Sequence, residues 1–187
     1  MMPTFRTSHP GSAADPSLPH IILVGLPGSG KSTVGQAVAE RLGRGFLDLD
    51  LEIERREGRS VGELFAERGE PYFRQKELEL THELALVGNM IVSPGGGWIA
   101  NADIVSIVRP PSRLIYLMVK PGVALERLGP GRSARPLLMR PDPLGELERL
   151  LAARAAVYGS ADHAVDTELF TLQKVIDKVA ELASTMR

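Results

Sequence analysis

The chain has 187 residues, of which 43% are hydrophobic, enough for the buried core of one domain. Its 22 Lys and Arg residues nearly balance its 23 Asp and Glu residues, which argues against a nucleic-acid partner held by a large basic surface. The absence of cysteine excludes disulfides, zinc–thiolate sites, iron–sulfur clusters and thiol catalysis. No apolar run reaches the roughly 18 residues of a membrane span. We therefore expect a cytoplasmic monomer that acts without a nucleic-acid or membrane partner.

Short apolar runs alternate with amphipathic segments, and this alternation predicts an α/β domain with a parallel sheet. The stretch 1–19, rich in Pro, Ser and Gly, predicts a disordered tail before a single domain over 20–187. In chain order we expect strand 20–25, helix 31–42, strand 46–49, helices 51–57, 61–68 and 71–87, strand 90–93, helix 102–108, strand 113–119, helix 123–128, a Gly- and Pro-rich loop, helix 144–158, strand 163–165 and helix 172–186.

Residues 25–33 read GLPGSGKST and match the phosphate-binding pattern G-x-x-x-x-G-K-[ST] between a strand and a helix. The glycines let backbone N–H groups turn toward phosphate oxygens, and the helix N-terminus adds partial positive charge. Lys31 is expected to contact the β- and γ-phosphates of ATP, and Ser32 to ligate Mg²⁺. The expected ATP-binding residues of this P-loop are Gly28, Ser29, Gly30, Lys31, Ser32 and Thr33.

A carboxylate near the end of another strand often holds the metal's water shell in such proteins. The strands near Ile91 and Tyr116 end without one, which leaves Asp48 and Asp50. Alternation along the strand would point both side chains to the same side, so that one could serve the metal and the other the substrate. Asp50 could instead simply cap the helix expected at 51–57. Both interpretations stay open from position alone.

Further motifs follow in a fixed order over residues 20–167. They are Asp48-Leu49-Asp50, Gly69-Glu70 followed by Phe73-Arg74-Gln75-Lys76-Glu77, Gly95-Gly96-Gly97, Arg135-Pro136-Leu137-Leu138, and Arg154 with Tyr158. In this order and spacing the chain resembles the shikimate kinase family. The resemblance implies ATP-dependent phosphorylation of the shikimate 3-hydroxyl, giving shikimate 3-phosphate and ADP. It also implies a three-layer P-loop kinase fold with a five-stranded parallel sheet and a mobile lid at about 129–142.

The resemblance also implies a role for each motif on the acceptor side. Asp50 would hydrogen-bond the acceptor hydroxyl. Arg74 and Arg154 would clamp the shikimate carboxylate, a task that suits planar guanidinium groups because each can donate two parallel hydrogen bonds. Glu77, one helical turn after Arg74, could hold that guanidinium in place. The acceptor pocket would be lined by three residues that let backbone approach a ligand closely, Gly95, Gly96 and Gly97.

On the nucleotide side the resemblance implies two arginines and a metal ion. Arg135, on the Gly- and Pro-flanked loop, would bring positive charge to the transferred phosphate when the loop closes. Arg127 would pack on adenine. Asp48 would hold the water shell of Mg²⁺. The residues assigned to catalysis are Lys31, Asp50 and Arg135.

Two other functions and two other interpretations of single residues stay open. The chain could be a kinase of the same fold for another small hydroxy acid, such as gluconate, or a nucleotide-binding module without turnover. From helix spacing alone, Arg74 could be a surface residue paired with Glu70 or Glu77. Trp98, which departs from the family as Pro94 does, could lie beside the acceptor pocket or pack under the helix expected at 102–108.

Overall fold

The computed structural model describes residues 18–129 and 141–185, so most of the expected tail and lid, including Arg135, lies outside the described residues. In chain order the elements are β1 (Ile21–Val24), α1 (Lys31–Leu42), β2 (Gly45–Asp48), α2 (Leu49–Glu57), α3 (Val61–Arg68), α4 (Glu70–Leu84), β3 (Met90–Ser93), a 3₁₀ turn (Trp98–Ala100), α5 (Ala102–Val108), β4 (Arg113–Met118), α6 (Pro121–Leu128), α7 (Pro143–Gly159), β5 (His163–Asp166) and α8 (Leu172–Thr185). Within these ranges no helix combines the length and hydropathy of a membrane span.

The five strands form one parallel sheet in the order β2-β3-β1-β4-β5. The central strand β1 is buried on both faces, as its continuous apolar sequence predicts. Ile21 and Leu23 pack with α1 and α8, whereas Ile22 and Val24 pack with the helices of the opposite face. Helices therefore cover both faces of the sheet, which confirms the three-layer α/β fold.

The carboxyl ends of parallel strands meet at one edge of the sheet, which is where ligands bind in folds of this class. Here β1 runs into the P-loop, β2 ends at Asp48, and β3 ends at Ser93 just before the triple glycine. At the far side of the same edge, β5 is followed by Thr167. The topology thus brings together chain segments that are far apart in sequence.

The helix bounds differ from the prediction at two places that matter for the site. Helix α2 begins at Leu49 because Asp48 is its N-cap, with Oδ1 accepting a hydrogen bond from the Leu51 N–H at 3.2 Å. Asp50 therefore lies in the first helical turn, and the interpretation of Asp50 as the cap is wrong. Helix α4 ends at Leu84 rather than at 87, because the N–H of Val87 bonds back to the Leu84 carbonyl at 3.1 Å in a tighter turn.

Candidate active site

A cleft of about 700 Å³ runs along the carboxyl edge of the sheet. Every predicted site residue that the structure describes lines this cleft, namely Gly28, Ser29, Gly30, Lys31, Ser32, Thr33, Asp48, Asp50, Arg74, Gly95, Gly96, Gly97, Arg127 and Arg154. Only Arg135 cannot be placed, since it lies outside the described residues. We call the end of the cleft at the P-loop the phosphate end, and the end near Arg74 the acceptor end.

The P-loop adopts a backbone that requires glycine at two positions. Gly28 and Gly30 have φ angles of 83° and 93°, and a Cβ on Gly28 would also collide with the Ala124 carbonyl. The Lys31 ammonium group donates to the carbonyls of Gly25 and Leu26, both at 3.0 Å. The loop and its lysine therefore turn backbone N–H groups and one positive charge toward the position that a phosphate chain would occupy.

Ser32 and Asp48 form the hydroxyl–carboxylate pair next to the P-loop. The Ser32 hydroxyl donates to Asp48 Oδ2 at 2.5 Å and lies 3.4 Å from the Ser93 hydroxyl. Within the described ranges no group of three or more His, Cys, Asp or Glu side chains could hold a metal ion. One hydroxyl and one carboxylate suit Mg²⁺, an ion that keeps several waters and takes its remaining ligands from substrate phosphates.

The three consecutive glycines each face a different charged side chain at the acceptor end. A Cβ on Gly95 would collide with the Asp50 carboxylate, and one on Gly97 would collide with the Arg74 guanidinium. A Cβ on Gly96 would lie 3.1 Å from Nη1 of Arg154. Close approach therefore favours glycine at positions 95 and 97, and the segment brings one carboxylate and two guanidinium groups together.

Arg74 is fixed by two glutamates on its own helix. Its Nη1 donates to Glu77 at 2.5 Å, while Nη2 and Nε donate to Glu70 at 2.7 and 3.1 Å. Burial lowers the pKa of Arg74, but the two carboxylates outweigh this effect and its pKa is raised. The helix-spacing alternative was thus correct about the pairing, yet the same guanidinium also lines the cleft.

Glu77 is fully buried, and burial raises its pKa to about 7. Arg74 opposes the rise, whereas the nearby charges of Asp50 and Glu70 add to it. Among the described residues, Oε1 of Glu77 has no hydrogen-bond partner. A carboxyl group in this environment can change its charge near neutral pH.

Arg154 supplies the second positive charge of the acceptor end. It projects from α7, is buried, and its Nη1 has no hydrogen-bond partner in the part of the chain that the structure describes. A buried guanidinium with an unused N–H group is a binding site for an anion, because its desolvation is then offset by a charge-assisted hydrogen bond. Together with Arg74 it can hold a small carboxylate against the triple glycine.

Arg127 lines the cleft on the side away from the acceptor end, and two hydrogen bonds to Thr167 hold it there. Its Nη1 donates to the Thr167 hydroxyl at 2.7 Å, and its Nη2 to the Thr167 carbonyl at 2.9 Å. Phe170 also lines the cleft. Thr167 and Phe170 were not predicted as site residues, because residues 167–170 do not show the sequence pattern expected on the adenine side, although their position just after β5 is on the ligand-binding edge of the sheet.

Aromatic side chains also line the acceptor end, but Trp98 is not among them. Phe65 and Phe73 line the cleft with ring centroids 5.1 Å apart, and both also pack in the core. Trp98 is fully buried in that core, where its Nε1 donates to the Thr81 hydroxyl of α4 at 3.0 Å. Of the two interpretations of Trp98, the one in which it packs away from the pocket is therefore correct.

Comparisons with known proteins agree with this geometry. The family model described as shikimate kinase matches residues 27–184. A shikimate kinase from Symbiobacterium thermophilum is 40% identical over 164 residues, covering 87% of this chain and 94% of that protein. A shikimate kinase from Pelotomaculum thermopropionicum is 38% identical over 160 residues, covering 86% and 92%. The solved structure of the Acinetobacter baumannii shikimate kinase in complex with shikimate superposes with a TM-score of 0.84 at 34% identity, covering 90% of this chain and 94% of that one.

Proposed function

Because this chain belongs to the shikimate kinase family, we propose that it transfers the terminal phosphoryl group of ATP to the 3-hydroxyl of shikimate. The products are shikimate 3-phosphate and ADP, and the reaction is a step in aromatic amino-acid biosynthesis. The observation that carries the proposal is the apposition of Asp50, Arg154 and Arg74 to three successive glycines, in one cleft with a complete P-loop. The cleft thus offers a place for a hydroxylated carboxylate beside a place for a phosphate chain.

At the phosphate end, the P-loop binds and orients the nucleotide. Backbone N–H groups and the N-terminus of α1 face the phosphate oxygens, and Lys31 exchanges its bonds to the loop carbonyls for the β- and γ-phosphates. Ser32 and Asp48 are the residues that would hold Mg²⁺, the first directly and the second through water. The ion, when bound, neutralises charge on the bridging and transferred phosphate oxygens.

At the acceptor end, Arg74 and Arg154 bind the carboxylate of shikimate, and the glycine segment supports its ring. Asp50 accepts a hydrogen bond from the acceptor hydroxyl and so aims the oxygen at the γ-phosphorus. A loose transition state needs little proton removal before the P–O bond breaks, so orientation is the main task of Asp50 and the proton passes to its carboxylate late. Fixing both substrates in one cleft replaces a bimolecular encounter by a positioned reaction.

We further propose that residues 20–187 are one domain behind a disordered tail over 1–19. In this proposal Arg135 descends from a lid over about 129–142 onto the transferred phosphate, and Arg127 packs on the adenine ring. The support for Arg127 is its fixed position next to Thr167 at the far end of the cleft. The near-balanced charge favours an enzyme without a nucleic-acid partner, and the absence of cysteine suits the cytoplasm. We propose that it works there as a monomer without a membrane partner.

The deciding experiment measures ADP release in a coupled assay with ATP, Mg²⁺ and a panel of hydroxy acids that includes shikimate, quinate and gluconate. We expect shikimate to stimulate ADP release and the other acids to do so weakly. Preferred use of gluconate would favour the alternative kinase. Tight ATP binding with no stimulation by any acid would favour a nucleotide-binding module. A preparation with Lys31→Ala controls for contaminating ATPase activity.

A further inference from the structure

The guanidinium of Arg74 is already occupied when the acceptor arrives. Its Nη1 contacts Glu77, and its Nη2 and Nε both contact Glu70. An acceptor carboxylate that binds Arg74 therefore becomes the third carboxylate around that guanidinium, while Arg154 is the second positive charge of the site. The added negative charge makes the ionised form of any carboxyl group beside Arg74 less favourable.

The two glutamates differ in how they can respond. The Glu70 side chain is 59% exposed and can turn away into water, whereas the Glu77 side chain is 0% exposed. The Glu77 side chain is buried and bonded to Arg74. Its backbone carbonyl accepts a hydrogen bond from the Thr81 hydroxyl at 2.7 Å. Because the Glu77 side chain cannot turn into water, it can respond to the added anion only by taking up a proton and losing its charge.

The geometry around Glu77 leaves room for a proton on one particular oxygen. Oε2 accepts from Arg74 at 2.5 Å, while Oε1 is buried without a hydrogen-bond partner among the described residues. Glu77 is one of the residues that line the cleft, and since its side chain is 0% exposed, a proton from solvent reaches it during a local opening of the cleft wall. A protonated Oε1 would leave the bond between Oε2 and Arg74 intact.

Resting on the function proposed above, we propose that Glu77 takes up one proton from solvent when the acceptor carboxylate binds Arg74, so that acceptor binding is coupled to pH. The O–H bond forms at Oε1, and the side chain passes from charge −1 to 0. The net charge around Arg74 is then the same before and after the acceptor's carboxylate arrives. Glu77 thus positions Arg74 and, by taking up a proton, compensates for the charge of the acceptor carboxylate.

The charged groups around Glu77 determine whether acceptor binding raises or lowers the pKa of its carboxyl group. From its own helix Arg74 and Glu70 act on it, and from α2 Asp50 acts on it. Helices α3 and α5 also pack on α4, but their acidic and basic side chains are exposed, namely Glu63, Glu67, Arg68 and Asp103. An added anion at Arg74 can therefore only raise the pKa of Glu77 above its value of about 7 in the unliganded protein.

The pH window follows from this direction. Below the unliganded pKa, Glu77 already carries the proton, and acceptor binding takes up little. Between the unliganded and the liganded pKa, uptake is largest, and the acceptor Kd should rise by up to about tenfold per pH unit. Above the liganded pKa, Glu77 stays ionised in both states, uptake vanishes and the Kd reaches a high plateau.

The test is calorimetry of shikimate binding to the full, nucleotide-free chain near pH 7.5, in buffers that differ in ionisation enthalpy. The dependence of the observed heat on buffer gives the number of protons exchanged. We expect an uptake of roughly half a proton or more in the wild-type protein. In Glu77→Gln we expect almost none, with a Kd that is flat across the neutral range, because the amide oxygen can still accept from Arg74.

Glu70→Gln is the matched control, since it removes the other carboxylate from Arg74 and should keep the proton uptake. An infrared difference spectrum of the wild-type protein adds a measurement that needs no variant, because shikimate should make a protonated-carboxyl C=O band appear. Removing the charge of Glu70 lowers the pKa of Glu77 and moves the uptake to lower pH. Wild-type binding with no buffer-dependent heat overturns the inference, as does loss of uptake at every pH in Glu70→Gln or its survival in Glu77→Gln. Absence of any shikimate binding would overturn the proposed function as well, so the two failures are distinguishable.

Discussion

The two ends of the cleft are built in different ways. The phosphate end comes from one continuous segment, residues 25–33, whose function resides mainly in its backbone and in the N-terminus of α1. The acceptor end is assembled from Asp50 on α2, Arg74 on α4, the glycines after β3 and Arg154 on α7. A local backbone motif can be transferred between folds as a unit, whereas the acceptor end exists only once the whole domain has folded.

The two ends also differ in the groups that surround their positively charged side chains. At the phosphate end Lys31 donates to two neutral backbone carbonyls, which phosphate oxygens can replace. At the acceptor end Arg74 is bonded to the carboxyl groups of Glu70 and Glu77, so an incoming anion competes with acidic groups of the protein. Substitutions around Arg74 should therefore change the KM of shikimate and leave the KM of ATP unchanged.

The largest effect is expected for Lys31→Ala at the phosphate end. The variant removes the charge that meets the β- and γ-phosphates, and kcat should fall about 10³-fold, the scale for loss of one preorganised electrostatic group. Circular dichroism should confirm an intact fold. Lys174→Ala, at an exposed position on α8, is the matched control and should keep wild-type turnover. Substantial activity in a folded Lys31→Ala protein would contradict the P-loop assignment.

Asp50→Asn should act on turnover rather than on folding. Asp48 caps α2, so the substitution at Asp50 leaves the cap in place and the protein should still fold. Loss of the carboxylate that orients the acceptor hydroxyl should lower kcat about 10²-fold. Thermal unfolding and steady-state kinetics on the same sample separate the two effects. Full turnover would remove Asp50 from the reaction.

The contrast between the two ends also explains what the sequence could and could not predict. The strand pattern and the P-loop depend on local spacing, and the sheet was confirmed to within a few residues at each strand. The apposition of Arg74 to Gly97 depends on how α4 packs against the segment after β3, and only the resemblance to a family indicated it. Thr167 was missed for the same reason, because nothing in its local sequence shows that it holds Arg127.

A smaller and more selective effect is expected for alanine substitutions in the glycine segment. A methyl group on Gly97 would overlap the Arg74 guanidinium, whereas one on Gly96 would lie 3.1 Å from Arg154 and need only a slight shift. Gly97→Ala should therefore raise the shikimate KM about tenfold, roughly the loss of one hydrogen bond to a charged group, and Gly96→Ala should raise it less. The ATP KM should stay unchanged in both.

Gly159→Ala is the control for the glycine series, because a Cβ at that position in α7 meets no atom within 4 Å. It should leave both KM values at the wild-type level. Equal effects of Gly96→Ala and Gly97→Ala on the shikimate KM would mean that the segment acts through backbone flexibility instead of through contact with Arg74. A parallel rise in the ATP KM would erase the distinction between the two ends of the cleft.

The smallest effect on activity is expected for Trp98→Phe, which probes the layer beneath the acceptor end. The indole N–H donates to the Thr81 hydroxyl, which itself donates to the Glu77 carbonyl, so its loss leaves one buried acceptor without a donor and should cost about 1–2 kcal/mol. Thermal unfolding should show a Tm lower by roughly 2–8 °C, the range for a domain of this size. Tyr72→Phe removes a hydrogen bond to Glu57 near the surface and should lower Tm less. Because Trp98 does not line the cleft, the shikimate KM should stay within about twofold of wild type, since the hydrogen-bonding and charged groups of the site are unchanged. A large rise in that KM with an unchanged Tm would place the indole in the acceptor pocket after all.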